Sequence, residues 1–448
     1  MKTKRNWRSK LLLAASLFLA TSTSGARAQE LTDDQLGAVK NRLAEGATHS
    51  WEIGTRTEAL IEDDTSSYSV LSNNGLPPSQ QAPSSLDEVI SIAREVVQNR
   101  TKADVKGLQP LMDANGGAAG DPPSIGVAVL LANWTGAGAQ DGQDYAGAAS
   151  SQLEYLLEKV PKSSDGAISH RTEQLQLWSD FVYMVPPFLA YYGVLTQNQS
   201  LVQQAYDQCR LYRQYLVDDD AGGMWKHIVM GDNTDSGHWS TGNGWAAAGM
   251  LRVLGTIQHS QYSSNMKEQA KNLTNWVSEI HTGIYPHLRT NSLFGNYADD
   301  SSSFDDASST AILASTVYRL AVLAGIHTHL PAAEQCRKAL SAPSSNSTSS
   351  ASSSSTATAP ASSSTSAGAL EHFTADMWLT PVVNPNQFGI EGEKSPEAQA
   401  FVVEMYAAWR DWTAVGSPGA NAAGRVHGAG AMSLWVCVGV VLTMLFGM

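Results

Sequence analysis

Ser85-Leu86-Asp87-Glu88-Val89-Ile90-Ser91-Ile92-Ala93-Arg94-Glu95-Val96-Val97 is the stretch whose reading decides the fold. Leu86, Val89, Ile90, Ala93, Val96 and Val97 recur at i, i+3, i+4, i+7, i+10 and i+11, which places them on one face of a helix, and Ser85 to Glu88 reads as a capping box at its start. Similar stripes run through 33–46, 48–62, 123–134, 143–159, 175–195, 199–216, 242–258, 264–281, 308–325, 331–340 and 395–412, giving about twelve helices with 86–99. Alternation of Val, Ile and Thr between Asn-Gly turns is scarce, which disfavours a sheet-based fold. Short connections such as 196–199 alternate with long ones, 217–241 and 282–307, that carry Gly, Asp, His and aromatic residues. Helices in consecutive hairpins either stack as a solenoid or close on themselves. No repeat of about 34 or 40 residues is visible, which counts against a solenoid. The expectation is an all-α fold closed into an α/α toroid, with the long loops gathered at one mouth.

The chain has 448 residues, too many for a small disulfide-stapled module, and both ends carry processing signals. Residues 2–10 are basic, 11–20 apolar, and Ala26-Arg27-Ala28 offers a small-x-small cleavage site, so 1–28 reads as a signal peptide. At the other end, small residues around Asn421 lead through a polar spacer to the apolar run 432–448. That is the layout of a glycolipid-anchor signal over 416–448, and the run is short of the roughly 20 residues of a membrane helix. The protein is therefore expected to be secreted, monomeric and held at the cell surface only by a lipid. Removing both ends takes away seven cations and no acids, moving the net charge from −13 to −20, which excludes nucleic acid as a partner.

Cys437 leaves with the tail. Cys209 and Cys336 remain in an oxidising compartment, where one disulfide and two buried thiols are both open. Asn99, Asn133, Asn198, Asn272 and Asn346 stand in Asn-x-Ser/Thr acceptor sequences. Residues 341–367 are almost wholly Ser, Thr, Ala and Pro and cannot bury enough apolar surface to offset ordering entropy, so the tract reads as disordered and O-glycosylated. Structured sequence resumes after it: Ser395-Pro396-Glu397 is an N-cap with proline at the first helical position, and Phe401, Val402, Met405, Ala408, Trp409 and Trp412 follow at helical spacing. The tract is read as an insertion within one domain, 29–415.

Within 165–193, Asp180 is the only charge between Trp178 and Phe188. A carboxylate there is either hydrogen-bonded to a helix terminus or desolvated enough for its pKa to rise into general-acid range. Asp121, in Gly120-Asp121-Pro122-Pro123, is an ordinary helix cap or a second catalytic carboxylate. Loop 217–245 sets Trp225, His227, His238, Trp239 and Trp245 among Asp218, Asp219, Asp220, Asp232 and Asp235. Such a mixture suits a carbohydrate cleft, where ring faces pack on sugar C–H faces while His and Asp bond hydroxyls. No His-x-x-x-His, Cys-x-x-Cys, complete calcium loop, nucleophile elbow or phosphate loop occurs, so no metal or cofactor is expected and paired carboxylates are the best catalytic candidate.

Taken together, Asp121-Pro-Pro-Ser-Ile-Gly126, Ile168-Ser-His170, Trp178-Ser-Asp180-Phe-Val-Tyr-Met184 with Pro187-Phe-Leu189, Gly223-Met-Trp-Lys-His227, Trp239-Ser-Thr-Gly-Asn-Gly-Trp245 and Ser395-Pro-Glu-Ala-Gln-Ala-Phe401 resemble the unsaturated rhamnogalacturonyl hydrolases of glycoside hydrolase family 105. These belong to the six-hairpin glycosidase superfamily, and the chain looks like a secreted fungal-type member over roughly 80–410. The resemblance implies an (α/α)6 barrel and a metal-free hydration of the C4–C5 double bond of the unsaturated uronic acid left on pectin fragments by lyases. It implies that Asp180 is the general acid/base, Asp121 its supporting carboxylate, and that His170, His227, Trp239, Thr241 and Trp245 meet the oligosaccharide. Thr241 departs from the arginine many relatives carry there. An arginine would suit a substrate carboxylate through a bidentate fork, and threonine offers one hydroxyl. Two other readings stand beside this one: an endo-α-1,6-mannanase-like wall enzyme using Asp299-Asp300 or Asp305-Asp306, and a non-catalytic anchored glycan-binding protein.

Overall fold

A computed structural model describes residues 29–102, 107–113, 115–344 and 369–420. The leader 1–28, Asn346 with the Ser/Thr tract beyond residue 344, and the anchor segment from Asn421 lie outside the described residues. Thirteen α-helices are present among the described residues: α1 (Asp33–Gly46), α2 (Ser50–Asp64), α3 (Asp87–Lys102), α4 (Gly126–Trp134), the short α5 (Ala137–Asp141), α6 (Tyr145–Glu158), α7 (Phe181–Leu195), α8 (Gln199–Leu216), α9 (Ser240–His259), α10 (Lys267–Ile284), α11 (Ala307–Ala324), α12 (Leu330–Leu340) and α13 (Pro396–Ala414).

Their contacts close a ring. Helix α2 packs on the Pro122–Ile125 3-10 turn that leads into α4, that turn packs on α7, and α7–α9, α9–α11, α11–α13 and α13–α2 complete the circle. Helices α1, α3, α6, α8, α10 and α12 lie outside, each packed on a member of the inner ring. This is the all-α (α/α)6 toroid the sequence leads one to expect. Sequence composition sorts the two layers. Inner α9 is buried at every residue from Ser240 to Ile257, so it needs small and apolar residues all round, whereas outer α10 buries one stripe including Leu273, Val277, Ile280 and Ile284. At Gly249 a Cβ would stand 2.0 Å from the Val182 carbonyl oxygen, so only glycine lets α9 approach α7 there.

Several boundaries differ from the sequence reading. Leu86, Val89, Ile90, Ala93, Val96 and Val97 are all buried as read, but Ser85 lies in a 3-10 turn, Ser84–Leu86, and no capping box forms at α3. The helix read as 175–195 begins only at Phe181, because Leu177 and Trp178 form a two-residue strand paired antiparallel with Ile228 and Val229. That pairing, with 217–218 on 224–225, 294–295 on 305–306 and 382–384 on 387–392, laces the long loops. Cys209 on α8 and Cys336 on α12 are both buried free thiols, so no disulfide joins them, and burial pushes both thiols up, Cys336 to about 12. Of the glycosylation candidates, Asn99, Asn133 and Asn198 are exposed, while the Asn272 amide donates to the Tyr206 hydroxyl at 2.8 Å.

Candidate functional site

The laced loops enclose a cavity of about 220 Å³ lined by Asp121, His170, Asp180, His227, Trp239 and Trp245, six of the residues singled out from sequence. Asp121 precedes the 3-10 turn into α4, His170 lies in the loop after α6, and Asp180 stands at the start of α7. Neither aspartate caps its helix through its side chain, so both carboxylates remain available to the cavity. Donor atoms of Asp121, His170 and Asp180 all lie within 4.8 Å of one another, and His170 Nε2 is 3.5 Å from Asp121 Oδ1. Gly120 makes room for this: a Cβ there would stand 2.6 Å from His170 Nδ1.

Electrostatics divide the two acids in a way the sequence did not foretell. A helix start favours an ionised carboxylate. Instead Asp121 is buried, and desolvation followed by the charge of Asp180 raises its pKa well above the ordinary value, with Arg171 opposing. Asp180 is only half-buried, despite its apolar sequence neighbours, and its Oδ1 has no hydrogen-bond partner. Burial lowers the His170 pKa, so the ring is neutral and its Nδ1 is also without a partner. Two carboxyls and an imidazole at this spacing can share and pass a proton. Their donor atoms would also suit a divalent cation.

His227 is fixed from behind. Its Nδ1 lies 3.0 Å from Asp235 Oδ2, which also accepts from the Tyr297 hydroxyl at 2.6 Å. Burial works against the charge on Asp235, but these bonds and the Gly237 N–H outweigh it and hold the acid at about 2. An ionised carboxylate only accepts, so Nδ1 carries the hydrogen, and Nε2, which has no partner in the protein, is left to the cavity. Asp235 is thus a positioning residue. Asp235→Ala should lower kcat/KM roughly tenfold to a hundredfold, the usual cost of losing a histidine's orienting partner, and Asp235→Asn less. Proton–nitrogen correlation spectra should show the His227 Nδ1–H signal lost in the alanine variant, and an unchanged signal would refute the role.

The aromatic wall is continuous. Trp178 stacks on His170 at 4.8 Å and meets His227 edge-on, while Phe388 meets His227 edge-on at 4.4 Å. The Trp239 indole N–H donates to Asn296 Oδ1, and the Asn296 amide donates to the Phe388 carbonyl, tying the wall to the hairpin 382–392. Trp245 packs against Tyr183 and Phe401 at 4.4 and 4.6 Å.

Thr241 is a correction. It is buried on α9 with its hydroxyl donated to Asp306 Oδ2 at 2.9 Å, and it does not line the cavity. Asp306 itself caps α11 through Ser308 and Ser309, Asp305 pairs with Arg289, Asp299 with His238, and Asp300 with Ser302. The acidic pairs of the mannanase-like reading therefore hold loops and a helix end, and none lines the cavity. Conversely, Trp51, Arg171, Met184, Asn384, Asn386, Phe388 and Glu397 line it and were not read as site residues. Arg171 is already engaged: its Nε and Nη2 donate to Glu173 at 2.9 and 2.7 Å, and Nη2 to the Gly116 carbonyl.

The described residues form a closed toroid of helical hairpins whose mouth gathers acids and aromatics. The family model of Glycosyl Hydrolase Family 88 matches residues 127–368, just over half of the chain. The chain belongs to that family and is a glycoside hydrolase. Among solved structures it is similar to a possible member of the GH105 family from Klebsiella pneumoniae, with 13% identity and a TM-score of 0.62 over 90% of this chain and 99% of that one. A possible GH105 member from Salmonella enterica gives 14%, 0.59, 85% and 95%. The unsaturated glucuronyl hydrolase from a Bacillus species, responsible for glycosaminoglycan degradation, gives 14%, 0.52, 86% and 96%. At these identities the likeness speaks for the fold. A search of curated proteins gave no match.

Proposed function

We propose that the protein hydrates the C4–C5 double bond of an unsaturated uronic acid at the non-reducing end of pectin-derived, rhamnogalacturonan-type oligosaccharides. The observation that carries this reading is the Asp121–Asp180 pair beside neutral His170, enclosed by tryptophans in a cavity large enough for about one sugar ring. Asp180, the more exposed acid, gives its proton to C4 as water adds at C5. Its conjugate base then takes the water's proton, and the resulting hemiketal opens and releases the rest of the oligosaccharide. Asp121, whose uncharged form burial and its neighbour's charge favour, shares the pair's one proton with Asp180 before the transfer to C4, and the proton taken from water restores the pair. The aromatic faces hold the ring, and His227 Nε2 hydrogen-bonds a sugar hydroxyl.

The direct test is to incubate the protein with lyase-generated pectin fragments and follow the far-ultraviolet absorbance of the conjugated uronate. Loss of absorbance with release of a saturated sugar is expected. Binding of the fragments without any loss would favour the non-catalytic reading and sink this one.

A further inference from the structure

Glu397 is the third carboxyl of the cavity. It follows Ser395, whose side chain caps α13, and Pro396 at the first helical position, so its place at a helix start is fixed by local chemistry. Its side chain nevertheless lines the same cavity as Asp121 and Asp180, is 5% exposed, and leaves Oε2 with no hydrogen-bond partner. Leaving a buried oxygen unmade costs about 1–3 kcal/mol, which a purely structural carboxyl at this position would have no reason to carry.

The cavity's other polar groups sharpen what that oxygen meets. On the proposed reaction the substrate brings a carboxylate into a space already holding two acids. Arg171 is the only cationic side chain among the described lining residues, and its Nε and Nη2 donate to Glu173 and the Gly116 carbonyl. The Trp178 and Trp239 indoles donate to Gln176 and Asn296. The Thr241 hydroxyl donates to Asp306. With the Arg171 charge compensated by Glu173 and two of the indoles occupied, an uncharged acid would add a donor for the carboxylate beside the Asn384 and Asn386 amides.

We propose that Glu397 is a substrate-binding residue that, as an uncharged acid, donates its O–H to the uronate carboxylate of the bound sugar. The inference rests on the uronyl reading above and assigns within it the group that recognises the acid function. A neutral carboxyl giving a hydrogen bond to an anion is a strong, charge-assisted contact that also avoids placing a third negative charge beside the substrate. The surroundings keep it neutral. Burial, then Glu52 on α2 and Asp306 at the start of α11, push Glu397 up to about 8. Asp121, whose uncharged form is favoured, and Asp180, Arg171, His170 and His227 share the same cavity lining.

Steady-state kinetics on an unsaturated uronyl disaccharide from pH 6 to 9.5 test this. For the wild-type protein KM should be flat at low pH and rise through about pH 8, where Glu397 ionises and repels the carboxylate. Glu397→Gln keeps shape and a donor, so its KM should stay near the wild-type low-pH value and lose the alkaline rise. Glu397→Ala should raise KM about tenfold or more at pH 6 with kcat nearly kept, the effect of losing one hydrogen bond to a charged group. An active wild type whose KM profile survives unaltered in both variants would overturn the role of Glu397 alone. A wild type inert on every unsaturated uronyl substrate would overturn the uronyl reading and this inference with it.

Discussion

Asp180→Asn should lower turnover on an unsaturated uronyl disaccharide by roughly two to four orders of magnitude, the usual worth of a positioned proton donor. Asparagine matches the shape of the acid and can neither give C4 a proton nor take one from water. The fold should be indifferent, because Asp180 makes no side-chain cap to α7 and its Oδ1 has no partner in the protein. Melting temperature therefore separates a chemical loss from a structural one. Asp121→Asn should cost less, since burial and the Asp180 charge raise the pKa of Asp121 and favour its uncharged form, a state the amide imitates. The sign of the pH dependence follows. In the wild type, kcat should fall as pH rises through the ionisation of Asp121, because two negative carboxylates no longer hold a shared proton. The Asp121→Asn enzyme should lack that limb. Near-normal turnover in Asp180→Asn would remove Asp180 from the mechanism.

Local periodicity made the helices legible. The apolar stripe of α3 and the wholly apolar run of α7 need only near neighbours in sequence to be read, and the ring order follows from hairpins closing on themselves. The same holds for Asp121, His170, Asp180, His227, Trp239 and Trp245, whose residue types are conspicuous where they stand. What escaped depends on direction and desolvation. Thr241 lies only two residues from Trp239, yet on α9 its side chain turns to the cap of α11 while Trp239 faces the cavity. Glu397 has the sequence of an ordinary first-turn acid, and its partnerless oxygen arises only once α13 has closed on α2. The inversion at Asp121 has the same origin: a helix start would favour the anion, but burial beside a second carboxylate outweighs it.

Arg252→Leu should be the most destabilising single change, because the guanidinium joins the inner ring from within. Arg252 on α9 bonds Glu62 on α2 and, at 2.9 Å, Glu404 on α13, and lies 3.5 Å from Glu58. Glu62 also pairs with Arg319 on α11 at 3.0 Å, and Tyr183 on α7 donates to Glu404 while its ring lies 4.3 Å beneath Arg252. Five of the six inner helices thus meet at one cluster, with three buried glutamates against two buried arginines. Burial raises Glu58 to about 7 and Glu404 to about 8, opposed by Arg252, so the cluster keeps a proton near neutral pH. Removing one partner of a buried ion pair costs about 3–5 kcal/mol through the charge left behind, which for a chain of this size lowers Tm on the order of 5 °C. The pH dependence distinguishes this from lost packing. Glutamates whose folded pKa lies above the unfolded 4.5 contribute stability that is fully present below about pH 4.5 and is lost as pH rises through about 7 and 8. Without Arg252 their pKa values rise further, so the variant should lie close to wild type at pH 5 and fall well below it at pH 8. An equal Tm deficit at both values would mean that Arg252 acts by packing on Tyr183, and not as the counter-charge of the ring.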